Sequence, residues 1–406
     1  MTAITSDPAS RRSGAALYIL LSVMFINMLG FGVVVPLLPF YARSFHAPPW
    51  QIALLFSAYS VGAFFGEPFW GRLSDRIGRK PLLVSTVAAN CLCYGVLAFA
   101  PNIYVAFIVR LIGGLAAGNG SVVQGYIADV TPAEQRAGRM SLLGAAYNIG
   151  FIFGPALGGL LAKPNAGTAG FHLPLLTASA LAGISSLCIF LVVKESRTHT
   201  YAASLQQSRW VMFGQAVRDP VVGRLMLLTL VAGLAFNGIE ATFGFWAEHR
   251  FGWGPRQVSL CFTAAAVVSA VAQTALTGRL SMRYGPGMML AVGMGVTVVC
   301  TGLQPFSTGG IMTMVLMATM ALGQSVAFPN ASAMISRSTT SERQGQMLGL
   351  NNASGALARI TGPIMALSLF QITPNGPFFA GAIIVLPAIL LALSAGRYAK
   401  ARGERS

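Results

Sequence analysis

The chain has 406 residues, of which 54% are hydrophobic and only 9% charged, and its mean hydropathy is +0.66. A soluble globular protein carries about 25% charged residues, so this chain cannot dress a water-facing surface and reads as an all-α integral membrane protein. The formal net charge of +16 implies no nucleic-acid partner, because the basic residues sort by membrane side.

Taken in order, twelve apolar runs reach the roughly 20 residues that a bilayer-spanning helix needs. The first half places spans 1 to 6 at 15–40, 50–71, 82–100, 103–127, 139–161 and 172–193. The second half places spans 7 to 12 at 221–247, 256–279, 287–306, 309–334, 345–370 and 376–395. A tail (1–14) precedes the first bundle (15–193), a polar linker (194–220) separates it from the second (221–395), and a basic tail (396–406) follows. Arg11 and Arg12 before an apolar run resemble a signal peptide, but the run from Ala15 to Phe40 exceeds an h-region of about 7–15 residues. It is expected to be an uncleaved first span. The linker predicts a short amphipathic helix near 209–218 and holds no catalytic motif.

Of 27 Lys and Arg, only Arg43, Lys163, Arg250 and Arg256 fall on one side, while Arg110 and Arg359 fall inside spans. The rest share the opposite side, which the positive-inside rule makes cytoplasmic. An even number of spans then places both termini in the cytoplasm and the chain in the cell's inner membrane. The five cysteines lie in apolar runs without zinc-site spacing and read as apolar fillers. The four histidines lie in loops or at span ends with no metal-ligand spacing, and no Walker loop is present. Neither an enzyme, a metal centre nor ATP drive is expected.

The stretch GRLSDRIGRKP at 71–81 returns as GRLSMRYGPG at 278–287. Gln51–Phe56 matches Gln257–Phe262, Gly154-Pro155 matches Gly362-Pro363, Glu134 matches Glu342, and Gly138 matches Gly345. A register consistent to within two residues across half the chain predicts two related six-span bundles, the organisation of secondary transporters. In the first copy Gly71 and Gly78 suit close approach or positive φ, and Pro81 suits the first turn of span 3. Asp75 among Arg72, Arg76, Arg79 and Lys80 can build a charge network. A mere topological anchor needs only the basic residues, so the embedded acid favours a functional loop.

In span 5, Gly150, Gly154 and Gly158 recur every four residues and share a face. That face admits another helix closely, Pro155 permits a bend, and Gly159 follows. Span 11 keeps Gly362 and Pro363 but continues with Met365 and Ala366.

Three carboxylates fall within spans: Glu67, Asp129 and Glu240. A charge in the bilayer is costly and is usually paired, protonated or functional. Glu240 lies roughly seven residues, about 10 Å, from the outer end of span 7. Phe236 and Phe243 share its face, a setting suited to lipophilic or cationic cargo. It is the first candidate to carry a proton; a structural glutamate bonded between helices is the bland alternative. Glu67, about one turn from the end of span 2 beside Pro68, is the second candidate, or a shallow cargo contact. Further cavity candidates are Asn27, Phe31, Asn119, Gln124, Asn148, Asn237, Gln324, Asn330 and Asn351.

The 71–81 loop resembles the signature of the major facilitator superfamily. GAAYNIGFIFGPALGG (144–159) is similar to the antiporter motif of its drug:proton antiporters, and Arg110, Gly114 and Gly118 resemble a third motif. NMLGFGVVVPLLP (27–39) and GIEATFGFW (238–246) look like spans 1 and 7 of the tetracycline-efflux-like branch. The resemblance implies twelve spans and alternating access about a cavity lined by spans 1, 4, 5, 7, 8, 10 and 11. It further implies proton-driven export of hydrophobic or amphipathic small molecules, such as drugs or antibiotics, by a functional monomer. The proton gradient would serve in place of a cofactor. It implies that Asp129 pairs with a basic loop residue such as Arg79 as a conformational latch, and that Arg110 modulates a nearby acid, with a structural pairing as the alternative. One departure stands out: the branch commonly has an acid where this chain has Asn27, which cannot titrate. The rival functions are a proton-coupled importer of a sugar, organic acid or other metabolite, and a non-transporting receptor or scaffold of the same fold.

Overall fold

A computed structural model describes residues 8–131, 133–196, 209–339 and 343–401. The middle of the expected linker, the outer parts of both tails and the repeat residue Glu342 lie outside these segments. The described residues form helices and connecting turns, with no strand among them. Among the described residues, twelve helices are long and apolar enough to span. Those of the first half are Leu17–Arg43, Pro49–Ile77, Arg79–Ala98, Ile103–Val130, Gly138–Leu161 and Asn165–Val192. Those of the second are Val222–Phe251, Pro255–Tyr284, Pro286–Phe306, Gly310–Arg337, Gln344–Ile372 and Gly376–Ala401. A shorter helix at Arg209–Arg218 precedes span 7.

Local chemistry explains several ends and breaks. Asn102 caps span 4 by accepting from the Val105 amide at 3.0 Å, satisfying one of the free N–H groups of a first turn. Gly252, at φ 68°, closes span 7 in the left-handed conformation. Span 1 tightens to a 3-10 turn at Val35–Leu37 around Pro36, and span 8 carries a π-bulge at Gln273–Thr277.

The repeated loop is shorter than expected. Residues 71–77 continue span 2 as helix, and the turn is Gly78 alone, at φ 103° and ψ 157°. The second copy does the same at Gly285, at φ 82° and ψ 151°. In each copy the glycine amide donates to a serine carbonyl four residues back, Ser74 at 3.2 Å and Ser281 at 3.0 Å. Only glycine adopts this backbone region without strain.

The chain divides into two compact units: Met1–Leu37 with Ala58–Ala203, and Leu38–Ser57 with Ser204–Ser406. In the first unit, span 1 packs on spans 5 and 6, and span 3 on spans 4 and 6. In the second, span 7 packs on spans 11 and 12, and span 9 on spans 10 and 12. The internal repeat is therefore a repeat of helix pairings. Within the second unit, Arg43 pairs with Glu248, and the Ser57 hydroxyl donates to the Ile360 carbonyl at 2.6 Å.

Glycine sets the closest approaches. A Cβ on Gly154 would stand 2.7 Å from Gly32 Cα and the Leu29 carbonyl, and one on Gly158 2.7 Å from the Val33 carbonyl. The four-residue glycine stripe of span 5, whose spacing predicts a close helix contact, thus lies on span 1. On span 4, Gly114 and Gly118 abut the backbone of span 2 at Tyr59 and Gly66.

Candidate functional site

At the loop-motif end of the first unit, a polar lattice forms around Arg79, which is 8% exposed. Its guanidinium pairs with Asp75 at 2.9 Å and Asp129 at 3.2 Å and also donates to the Ser74 hydroxyl. Gly125 lies beneath the guanidinium, where a side chain would collide with it. The pairing of Asp129 with Arg79 matches the expectation drawn from the resemblance. Gly71 packs beside Ser121, and Arg76 is exposed.

Sequence reasoning missed the third acid of this lattice. Glu195, just past span 6, accepts from the Arg79 amide at 2.8 Å and the Lys80 amide at 3.1 Å. These are unpaired donors of the first turn of span 3, where a carboxylate also meets the positive end of the helix dipole. Ser196 donates to Asp129 at 3.3 Å. The ends of spans 2, 4 and 6 and the start of span 3 are thereby tied together. The second loop copy lacks this lattice, because Met282 and Pro286 stand where Asp75 and Arg79 do. Its serine is used differently: Ser281 donates to Asn330 at 2.7 Å.

Deeper in the same unit, Asn27 donates to Asn119 at 3.1 Å, and Asn119 donates to Thr86 at 3.3 Å. A chain of neutral groups occupies the place where the resembling branch has an acid. Arg110 is 3% exposed, with its Cζ 4.4 Å from the centre of the Tyr59 ring. Phe31 meets the other side of this cluster, 5.5 Å from Tyr59 between ring centres. Tyr94 closes against Gly30. Neither tyrosine stands out in the sequence, and only the folded packing of spans 2, 3 and 4 brings them to the arginine.

In the second unit, Glu240 is half-buried on span 7, within electrostatic reach of Arg359. It makes no hydrogen bond or ion pair with another described residue. Span 7 continues to Phe251, so Glu240 lies about 16 Å from that end rather than 10 Å. Glu67 is likewise deeper, since span 2 runs on to Ile77, and its side chain is exposed.

The remaining candidates scatter. Phe243, expected at a cavity wall, is instead a core residue at 0% exposure, ringed by Trp246 and Phe262. Phe236 packs partly against that core. Asn237 donates to the Gly233 carbonyl at 2.6 Å, and Asn351 accepts from Thr229 at 2.9 Å. Gln124 is exposed and Asn148 half-buried. Gln324 is buried with both amide atoms unpaired among the described residues. Pro155 and Gly159 are buried in span 5. Among the described residues, no group of three or more His, Cys, Asp or Glu is placed to hold a metal ion.

The profile described as the Major Facilitator Superfamily matches residues 20–254 and 225–405. The chain is 29% identical to the "Tetracycline resistance protein, class C" of Escherichia coli, over 96% of this chain and 99% of that one. It is 25% identical to "Multidrug resistance protein 2" of Bacillus subtilis (strain 168), over 91% and 92% of the two chains. A crystal structure of a bacterial homologue of the human lysosomal transporter Spinster superposes with a TM-score of 0.80 at 14% identity, covering 97% of this chain and 98% of that one.

Proposed function

Since the chain belongs to the major facilitator superfamily and is a multi-pass membrane transporter, we propose that it exports hydrophobic or amphipathic small molecules in exchange for protons. The observation that carries the proton reading is Glu240: a half-buried carboxyl inside a span, without a hydrogen bond or ion pair among the described residues, facing the charge of Arg359. A carboxyl held in a span without a fixed partner is free to change protonation state, and intramembrane acids are commonly functional. The names of the tetracycline- and multidrug-resistance relatives support export of antibiotic-like cargo over import of a metabolite. Glu67 is the second acid in this reading. In this account the protein works as a monomer in the inner membrane by alternating access, with both termini and the Arg79 lattice in the cytoplasm. The lattice latches the cytoplasmic side.

The test is uptake of lipophilic fluorescent compounds into inverted membrane vesicles, with and without a protonophore, for the wild type and Glu240→Gln. Export appears there as uptake. Uptake that the protonophore abolishes and Glu240→Gln loses is the expected result. Uptake retained by Glu240→Gln moves the proton site to Glu67 or elsewhere. Absence of gradient-dependent uptake for every compound overturns the export reading.

A further inference from the structure

Arg110 carries a charge that its own unit does not balance. The side chain is 3% exposed inside a membrane span, its Nε is buried without a partner, and its guanidinium makes no ion pair or hydrogen bond with another described residue. Tyr59 offers a ring face at 4.4 Å, which attracts a cation but leaves the N–H edges of the planar fork unused. The other acids described in this unit are engaged at its far end: Asp75 and Asp129 hold Arg79, and Glu195 holds the start of span 3. Glu67 is exposed and within electrostatic reach of Tyr59, but makes no ion pair with Arg110. Asn27 is neutral and already bonded to Asn119. An intramembrane arginine ordinarily pairs with a neighbour or marks a substrate or ion pathway, and no neighbour pairs with this one among the described residues.

We propose that Arg110 docks a carboxylate on the cargo, whose aromatic body lies against Phe31 and Tyr59. The fork of an arginine matches a carboxylate through two parallel hydrogen bonds. Phe31 and Tyr59 stand 5.5 Å apart and are both only half-buried, so each ring keeps uncovered surface beside the charge. This narrows the cargo class from amphipathic molecules in general to aromatic carboxylates, and it gives Arg110 to cargo rather than to proton exchange. The inference rests on the transport reading for the existence of a cargo, but not on proton coupling or on Glu240.

The experiment is equilibrium binding, with no gradient, to the purified full-length protein in chloride-free detergent buffer. The probes are a naphthyl-alkyl carboxylate and its methyl ester. The wild type is expected to bind the carboxylate about tenfold more tightly than the ester, the scale of a charge-assisted bidentate contact. Arg110→Gln is expected to reduce that ratio to about twofold or less, and Arg110→Lys, which keeps the charge without the fork, to leave an intermediate value. A ratio near one in the wild type overturns the proposal without recourse to any variant. So does a tenfold ratio that survives Arg110→Gln. A wild-type ratio near one accompanied by stabilisation on adding chloride identifies a small-anion site and also overturns the cargo assignment. Failure of proton-driven export leaves this ratio untouched, so the two readings fail separately.

Discussion

The contact between spans 1 and 5 gives a prediction that depends on geometry alone. Replacing Gly154 with alanine adds one methyl group whose carbon would stand 2.7 Å from both Gly32 Cα and the Leu29 carbonyl and 2.9 Å from Gly32 C. Ordinary contact begins at 3.4 Å, so the helices must part by about 0.7 Å. The three atoms are all backbone, and no side-chain rotation relieves them. A gap of 0.5–1 Å forfeits roughly a quarter to a half of each pair's dispersion well, and it is felt along the whole stripe. Overpacking of this kind costs about 1–3 kcal/mol. Gly144 sits in the same helix with nothing within 4 Å of its would-be Cβ, so Gly144→Ala should be neutral, or stabilising by up to about 1 kcal/mol from helix propensity. Thermal unfolding of the two purified variants, followed by intrinsic tryptophan fluorescence, compares them directly. Equal melting points would refute the close-approach account of the span 5 glycines.

Two more outcomes follow from the loop-motif end. Asp75→Asn removes one of the two carboxylates on Arg79. It should lower vesicle transport by about fivefold or more at unchanged membrane level, the scale of about 1 kcal/mol lost from a partly exposed pair; undiminished transport removes the latch from the account. Gly78→Ala and Gly285→Ala each force a side chain into a glycine-only backbone region, at about 1–3 kcal/mol. Both should melt earlier than wild type, and an unchanged melting point for either would mean that the turn relaxes without strain.

Much of the fold was legible because hydropathy alone separates twelve apolar helices from their polar ends, and because register exposed the repeat. The length of the turn was not, since residues 72–77 are mostly polar yet helical. A helix can run past the apolar run without a change in its backbone bonding. The glycine face of span 5 was readable, as helical spacing decides which residues share a face. Spacing does not decide what covers a face, so on span 7 Phe243, which shares a face with Glu240, lies in the core. Glu195 reaches Arg79 across 116 positions, and nothing local marks it. The isolation of Arg110 is a fact about partners that are missing in space, which no linear pattern contains.

Spans 2 and 3 meet at Gly78 alone, and spans 8 and 9 at Gly285 alone. A linkage of one residue gives the trailing helix no slack with which to choose its own orientation during synthesis. Once the leading helix is committed to the bilayer, the next must enter antiparallel beside it. Arg76, Arg79 and Lys80 crowd one apex, and Arg279 and Arg283 the other, the distribution expected of hairpin tips that stay on the side where basic residues are retained. For these four helices the smallest unit that can cross a bilayer and return is therefore the hairpin, hinged on one glycine.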